Sequence, residues 1–221
     1  MIAEVVAHPP EFRLRTDSRV SGIRPEQIVR LTVDQYEALI PAGVIEEGAP
    51  IELINGVMRW KNRASQGEPL MTVGKRHAMT VVKLHTLLTL LLQGRSCFVQ
   101  GQLPISLSAI DEPEPDVCVV VGSIEDERVR HPTPDQLVVV IEVSDSSLDD
   151  DRGEKLEMYA SAGVREYWIV NLVENQIEVH RSPMSDQGRF AARKDFLSGD
   201  TVPLALPDGT NVDVDVSRVL M

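Results

Sequence analysis

Two acidic side chains lie at the ends of short apolar segments whose composition is typical of buried strands. Asp116 follows Pro115 and opens one such segment, residues 116–121, while Glu142 lies near the end of another, residues 136–143. If these strands pair in antiparallel fashion, the start of the first lies beside the end of the second, so both carboxylates meet at one rim of a sheet. Such a pair repels and loses hydration unless a cation or a shared proton compensates it. Oxygen ligands of this kind suit Mg²⁺ or Mn²⁺.

A lysine follows this pair on a predicted helix over residues 151–162. Lys155 borders the apolar stripe of that helix, so it faces the sheet more readily than solvent. The helix comes after a short polar loop, which returns Lys155 to the rim that carries Glu142. There its ammonium group can hold an attacking water or stabilise charge that develops on a phosphate. Taken alone, the spacing is equally compatible with a strand-capping Asp116, a solvated Glu142 and a surface lysine.

The rest of the chain predicts the elements that must position these residues. Thr32 and Gln35 form a capping box that starts a short helix ending near Ile40. Asn-Gly at 55–56 predicts a hairpin over residues 51–60 with a type I′ turn, because both turn residues need positive φ. The other predicted elements are a long helix over 75–93, a strand over 96–107, and strands over 166–172, 176–181 and within 189–220. This order predicts an α/β fold with a mixed central sheet flanked by helices and with antiparallel hairpin extensions.

Composition excludes several classes of protein. The 221 residues are 43% hydrophobic and 25% charged, which is ordinary for a globular protein and argues against disorder. The net charge of −12 excludes a polycation that coats nucleic acid or anionic membranes, but it leaves room for a local basic groove. Cys97 and Cys118 lie in apolar segments and are expected to be buried, reduced thiols. We find no signal peptide and no segment able to cross a bilayer, and we expect a cytoplasmic protein without membrane contact.

The chain divides unevenly. Residues 1–24 mix Pro, Arg, Ser and Gly without periodicity and predict an N-terminal arm, whereas residues 25–221 predict a single domain.

One cationic group stands out, and it comprises Arg59, Lys61, Arg63, Lys75 and Arg76. Such a group can track a phosphate backbone, but a solvated loop is an equally good interpretation.

Several motifs surround the candidate residues. They are Pro-Asp at 115–116, Ile-Glu-Val-Ser at 141–144, Asp-Arg-Gly-Glu-Lys-Leu-Glu-Met-Tyr-Ala at 151–160 and Ala-Gly-Val-Arg-Glu-Tyr-Trp-Ile-Val at 162–170. Together with Glu-Leu-Ile-Asn-Gly at 52–56 and the helix around His77, they resemble the Uma-type family, a group of predicted restriction endonucleases in the PD-(D/E)XK nuclease superfamily. The resemblance implies a restriction-endonuclease-like core, a divalent metal ion and hydrolysis of phosphodiester bonds in DNA.

The resemblance also implies roles for individual residues. By position, Asp116 and Glu142 would bind the metal ion, and Glu52 would be an auxiliary acid that faces the site from the first hairpin. The general superfamily motif places its lysine two residues after the acid, where this chain has Ser144, whereas the family resembled here supplies it from the helix, as Lys155. The predicted catalytic residues are therefore Asp116, Glu142 and Lys155. The predicted ligands of the Mg²⁺ or Mn²⁺ ion are Asp116, Glu142 and Glu52.

Two other functions stay open at this point. Ser144 or Ser146, activated by Lys155, would make a Ser-Lys hydrolase, although no glycine-flanked nucleophile elbow is present. A non-catalytic interaction protein could keep the nuclease scaffold, and the acidic net charge favours this interpretation because it slows association with DNA. For a nuclease acting on duplex DNA we expect a homodimer, since cutting both strands with one site per chain favours two-fold pairing. His77 could contact a phosphate or lie near the site, but we expect it to be a packed or surface histidine.

Overall fold

The computed structural model describes residues 27–61, 74–124 and 130–220. The strands are β1 (Ile51–Ile54), β2 (Val57–Trp60), β3 (Cys97–Gln100), β4 (Val117–Val121), β5 (Leu137–Ser144), β6 (Glu166–Asn171), β7 (Gln176–Met184), β8 (Arg189–Leu197), β9 (Thr201–Ala205) and β10 (Asn211–Asp215). The α-helices are α1 (Val33–Ala38), α2 (Lys75–Leu91), α3 (Leu148–Arg152) and α4 (Glu154–Ser161).

Six strands form the central sheet in the order β3-β4-β5-β6-β7-β8. The β5–β6 pair is parallel and is connected through α3 and α4, while the other neighbouring pairs are antiparallel. Hairpins β1–β2 and β9–β10 form two further antiparallel sheets. The predicted α/β fold with a mixed sheet and hairpin extensions is therefore confirmed.

Strand β5 is buried along its whole length, because both faces of the sheet are covered. Val139, Ile141 and Val143 belong to the hydrophobic cluster that contains the apolar face of α2 and the β9–β10 hairpin. Val140 belongs to the other cluster, which contains Tyr159 of α4. Since side chains alternate along a strand, Glu142 shares the face of Val140 and is directed toward α4.

The β1–β2 hairpin has the predicted turn. Asn55 and Gly56 have φ values of 52° and 71°, which is the left-handed region that a type I′ turn requires at both positions. A Cβ atom at residue 56 would lie 2.7 Å from the Cβ atom of Arg30 and 2.9 Å from the carbonyl oxygen of Leu31. Glycine is therefore needed both for the backbone angle and for the close approach of the preceding segment.

Two predicted elements are wrong in extent. The strand expected over 96–107 ends at Gln100, because Gln102 has a φ of 51° and Pro104 has no N–H group for a ladder. The helix expected over 151–162 is two helices with a break at Gly153, where φ is −102° and ψ is −105°. A Cβ atom there would lie 2.9 Å from the carbonyl oxygen of Asp149. The break places Asp151 on α3 and Lys155 on α4.

Other expectations have mixed outcomes. Cys97 and Cys118 are free thiols, as expected, although Cys97 is only partly buried. No α-helix in the described part of the chain is long and apolar enough to cross a membrane. The expected N-terminal arm over residues 1–24 lies outside the described residues, and the single domain over 25–221 stays a prediction.

Candidate active site

Asp116 and Glu142 lie side by side at the rim of the central sheet. Strands β4 and β5 pair antiparallel with Val117 opposite Ile141, so the register extended by one residue places Asp116 opposite Glu142. The amide of Asp116 donates to Glu142 Oε2 at 3.4 Å, and the amide of Val143 donates to Asp116 Oδ2 at 2.9 Å. The antiparallel pairing that the sequence required is present, and it brings the two carboxylates together.

Lys155 and Tyr159 of α4 bind the same carboxylate oxygen. Lys155 Nζ lies 2.9 Å from Glu142 Oε1, and the hydroxyl of Tyr159 donates to that atom at 2.8 Å. Burial opposes the charge of Lys155, but the charges of Glu142, Glu52 and Asp151 outweigh it and hold its pKa well above the usual value. The amine is therefore an ammonium at neutral pH, which suits it to charge stabilisation rather than to proton abstraction.

Asp151 is a third carboxylate of the cluster, and the sequence did not assign it to the site. Its Oδ2 accepts hydrogen bonds from Ser144 and Ser147, each at 2.6 Å. Its Oδ1 lies 3.8 Å from Lys155 Nζ and accepts no hydrogen bond from the described residues. Burial is the main reason why the pKa of this carboxyl is raised. Ser144, which occupies the place of the superfamily's lysine, is thus engaged in holding Asp151.

His77, near the start of α2, contacts the site as well. Its Nε2 lies 3.3 Å from Asp116 Oδ1. Burial alone would lower the pKa of His77, but the hydrogen bond and the charge of Asp116 raise it above the usual value. Burial would raise the pKa of Asp116, and the contact with His77 instead holds it below the usual range. His77 is therefore largely packed, as expected, and its contact with Asp116 also places it beside the candidate site.

Glu52 on β1 is a buried carboxylate near the cluster, and its hydrogen bond is to the backbone of Glu114. Its Oε2 accepts from the amide of Glu114 at 3.4 Å, and its negative charge raises the pKa values of Lys155 and Glu142. Among the described residues, Glu52, Asp116 and Glu142 do not bring three ligand atoms within 4.8 Å of one another. Glu52 thus contributes negative charge to the site, while Asp116 and Glu142 lie opposite each other at the ends of β4 and β5.

The first hairpin is fixed to α4 by an ionic contact. Asn55 Nδ2 donates to Glu154 Oε1 at 3.0 Å, and Arg59 donates to the same oxygen at 2.8 Å. These bonds join the hairpin that contains Glu52 to the helix that contains Lys155.

The predicted cationic group does not form a continuous track among the described residues. Arg59 pairs with Glu154 and Lys61 pairs with Glu114. The guanidinium of Arg76 donates to the carbonyl of Leu172 at 2.6 Å. Lys75 is exposed at the start of α2, and Arg63 lies outside the described residues.

Four carboxylates meet Lys155 and His77 at this site. Glu52, Glu142 and Asp151 are each 5% exposed or less, and burial together with the charges of Asp151, Asp116 and Glu52 raises the pKa of Glu142 to about 7 despite the opposing effect of Lys155. The excess of buried negative charge is what a divalent cation would compensate. The donor set of two adjacent carboxylates at a sheet rim fits Mg²⁺ or Mn²⁺ with water completing the coordination.

Comparison with known proteins places this arrangement in a family. Residues 33–215 match the model of the Uma2 family, described as "Putative restriction endonuclease". The chain belongs to the Uma2 family. The match spans β1 to β10 and so contains every residue of the candidate site, and the resemblance seen in the motifs is confirmed.

A solved structure supports the same fold for this Uma2-family chain. A "putative nuclease belonging to DUF820" from Anabaena variabilis ATCC 29413 superposes with a TM-score of 0.60 at 15% sequence identity, covering 86% of this chain and 97% of that chain. No curated protein matches the sequence. The family match points to a nuclease, and the solved structure supports the fold.

The metal-free Uma2-family protein should lose stability as the pH rises from about 4.5 to about 7. The folded state binds a proton at Glu142 across this window, because the pKa is raised to about 7 from 4.5, whereas the unfolded state does not. Urea unfolding with chelator at pH 5 and pH 8 measures the change, and Glu142→Gln removes the contribution of this one group. Between pH 5 and pH 8, we expect the free energy of unfolding of wild type to fall by on the order of 3 kcal/mol more than that of Glu142→Gln. Equal changes in the two proteins would contradict the assignment.

Proposed function

We propose that the protein is a metal-dependent endonuclease that hydrolyses phosphodiester bonds in DNA at the cluster of Asp116, Glu142 and Lys155. The observation that carries this proposal is the cross-strand pair of carboxylates with the ammonium of Lys155 2.9 Å from Glu142 Oε1. A carboxylate pair that can bind a divalent cation, next to a fixed ammonium, is the combination that phosphoryl transfer needs at the reacting phosphate.

Asp116 and Glu142 are the residues that would hold Mg²⁺ or Mn²⁺, with Glu52 adding negative charge behind them. When bound, the ion supplies Lewis acidity toward the phosphate and lowers the pKa of water. His77 and the amide of Val143 hold the two oxygens of Asp116, which fixes the direction of that carboxylate. Tyr159 holds Glu142 Oε1, so it is a positioning residue rather than a catalytic one.

Lys155 would act on the substrate through its charge. Its ammonium is protonated, because three nearby carboxylates raise its pKa. A protonated lysine can donate hydrogen bonds to a nonbridging phosphate oxygen or to a water aligned for attack on phosphorus. Since it lies against Glu142, the same group also limits repulsion among the acids before substrate binds.

Two contacts argue against a Ser-Lys hydrolase. The hydroxyl of Ser144 is buried and donates to Asp151 at 2.6 Å, so it is not presented to a substrate. The amine of Lys155 is protonated against Glu142 and cannot take a proton from a serine. The net charge of −12 favours the alternative of a non-catalytic interaction protein. The experiment below distinguishes that alternative from a nuclease. The homodimer and the cytoplasmic location stay predictions.

The experiment combines metal binding with DNA cleavage. Mn²⁺ is titrated calorimetrically into wild type and into Asp116→Ala/Glu142→Ala, and both are then incubated with supercoiled plasmid and Mg²⁺ or Mn²⁺. We expect the variant to bind one Mn²⁺ ion fewer and to lose nicking. The control Asp149→Ala/Glu157→Ala removes two exposed carboxylates of α3 and α4 and should keep both properties. Unchanged Mn²⁺ binding in the site variant, or no nicking by wild type with either ion, would favour the non-catalytic alternative.

A further inference from the structure

Outside the candidate active site, three side chains from distant parts of the chain converge. Glu37 lies on α1, Glu112 lies four residues before Asp116, and His131 lies on the segment that leads to β5. Each offers one ligand atom, and these atoms all lie within 4.8 Å of one another. Within the described residues this is the one group of three acidic, histidine or cysteine side chains that meets that limit. His131 Nε2 lies 3.9 Å from Glu37 Oε1.

Glu112 is the buried member, and no cationic side chain among the described residues forms an ion pair with it. It is 3% exposed, and its Oε2 accepts no hydrogen bond in the described part of the protein. The neighbouring lysine, Lys61, pairs with Glu114 instead. Burial, followed by the charge of Glu37, raises the pKa of Glu112 to about 8. A buried carboxylate in this position needs a proton or a cation, and a carboxylate and an imidazole are next to it.

We propose that Glu37, Glu112 and His131 form a second metal site, which binds a divalent transition-metal ion of the Zn²⁺ type. Two carboxylates balance the charge of such an ion. The imidazole nitrogen favours zinc and its neighbours over Mg²⁺ and Ca²⁺, which prefer oxygen ligands alone. Three protein ligands leave one tetrahedral position for water. Glu37 and His131 have side chains 48% and 40% exposed, so they can close on the buried Glu112 by side-chain rotation.

The backbone contacts of Glu112 give this site a structural consequence. Glu112 and Leu53 form an isolated β-bridge, in which the amide of Glu112 donates to Leu53 at 2.8 Å and the amide of Leu53 donates back at 3.3 Å. Leu53 follows Glu52, and Glu112 leads into Asp116. An ion at this position therefore joins α1 and the segment of His131 to the chain that carries two acids of the candidate active site. Its role is to brace that region, and it takes no part in the reaction.

The test uses a background in which the candidate active site cannot bind metal. Zn²⁺ is titrated into Asp116→Asn/Glu142→Gln by calorimetry, and thermal unfolding is measured with one equivalent of Zn²⁺ and with chelator. We expect one bound ion and a higher melting temperature with Zn²⁺. Adding Glu112→Gln, which keeps the shape and mimics the protonated acid, should weaken binding by at least about 100-fold and remove the shift. Adding His131→Ala should do the same.

The matched control is Glu47→Gln, which removes an exposed acid that is not part of the cluster. It should keep both the Zn²⁺ affinity and the melting shift. No Zn²⁺ binding in the background protein would overturn the proposal, and so would Zn²⁺ binding that survives Glu112→Gln and His131→Ala. Because Asp116 and Glu142 are replaced in all these proteins, neither result depends on whether the protein is a nuclease. Conversely, loss of plasmid nicking in Asp116→Ala/Glu142→Ala tests the nuclease without involving Glu112.

Discussion

Lys155→Met should reduce DNA cleavage by about 100- to 1,000-fold while metal binding persists. Lys155 lies 2.9 Å from Glu142 Oε1 and is the one lysine in ion-pair contact with the acids of the cluster among the described residues. Methionine keeps the length and the apolar contacts of the side chain but has no charge. In wild type the ammonium of Lys155 competes with a metal ion for Glu142, so Mn²⁺ should bind the variant as tightly as wild type or more tightly.

The same substitution should destabilise the metal-free protein in a pH-dependent way. Without Lys155, the charge of Glu142 is opposed by burial and by Asp116, Asp151 and Glu52, so its pKa should rise further above about 7. At pH 8 the variant should lose about 3 kcal/mol, because one partner of a buried pair is gone. At pH 5.5 the loss should be smaller, because Glu142 is protonated and no longer needs a partner.

Single-turnover cleavage, Mn²⁺ calorimetry and urea unfolding together decide this prediction. Lys194→Met is the control, since Lys194 lies on β8 above the ring of Phe196 and away from the acids. A role for Lys155 in the reaction predicts a slow variant that still binds Mn²⁺ and is folded at the assay pH. If Lys155→Met instead cleaves DNA at the wild-type rate once it is saturated with Mn²⁺, the residue serves stability alone.

The parts of the site that sequence reasoning found are those governed by local rules or by one pairing. The Asn55–Gly56 turn follows from the backbone angles that a type I′ turn needs. Asp116 and Glu142 required a single assumption, an antiparallel pair of apolar strands, and the register of β4 and β5 confirms it. Lys155 was placed by its position beside an apolar stripe on a helix that leaves the same strand.

The parts that were missed depend on contacts between segments far apart in the chain. His77 reaches Asp116 from a helix that covers the opposite face of the sheet, and no pattern within that helix marks its first turn as part of the site. Asp151 was predicted only as the first residue of a helix, whereas it lies near the end of α3, before the break at Gly153, and contacts Ser144 and Lys155. The break itself depends on a glycine in an otherwise continuous helical pattern.

Asp116→Asn should abolish cleavage and release His77 from its partner. Asparagine can still accept the hydrogen bond from Val143, so the strand pairing and the fold should persist. It carries no charge for a metal ion, and the loss of a ligand is expected to slow cleavage by at least about 1,000-fold. Asp116 is also the group that raises the pKa of His77 against the effect of burial. In the variant the lowering effect of burial remains, opposed by the hydrogen bond with the backbone of Val143 and by a weaker charge from Glu142.

The pKa of His77 is therefore expected to fall in Asp116→Asn, and an NMR titration of its imidazole in metal-free protein measures this directly. Asp149→Asn, which removes an exposed carboxylate of α3, should leave the titration unchanged. A cleavage defect without any change at His77 would mean that the contact between His77 and Asp116 does not form in solution. A lower pKa with cleavage intact would mean that Asp116 is not a metal ligand. If cleavage and the pKa of His77 change together, the carboxylate of Asp116 is both the metal ligand and the partner of His77. Its two oxygens fit these two roles, because one accepts from the amide of Val143 and the other faces the imidazole.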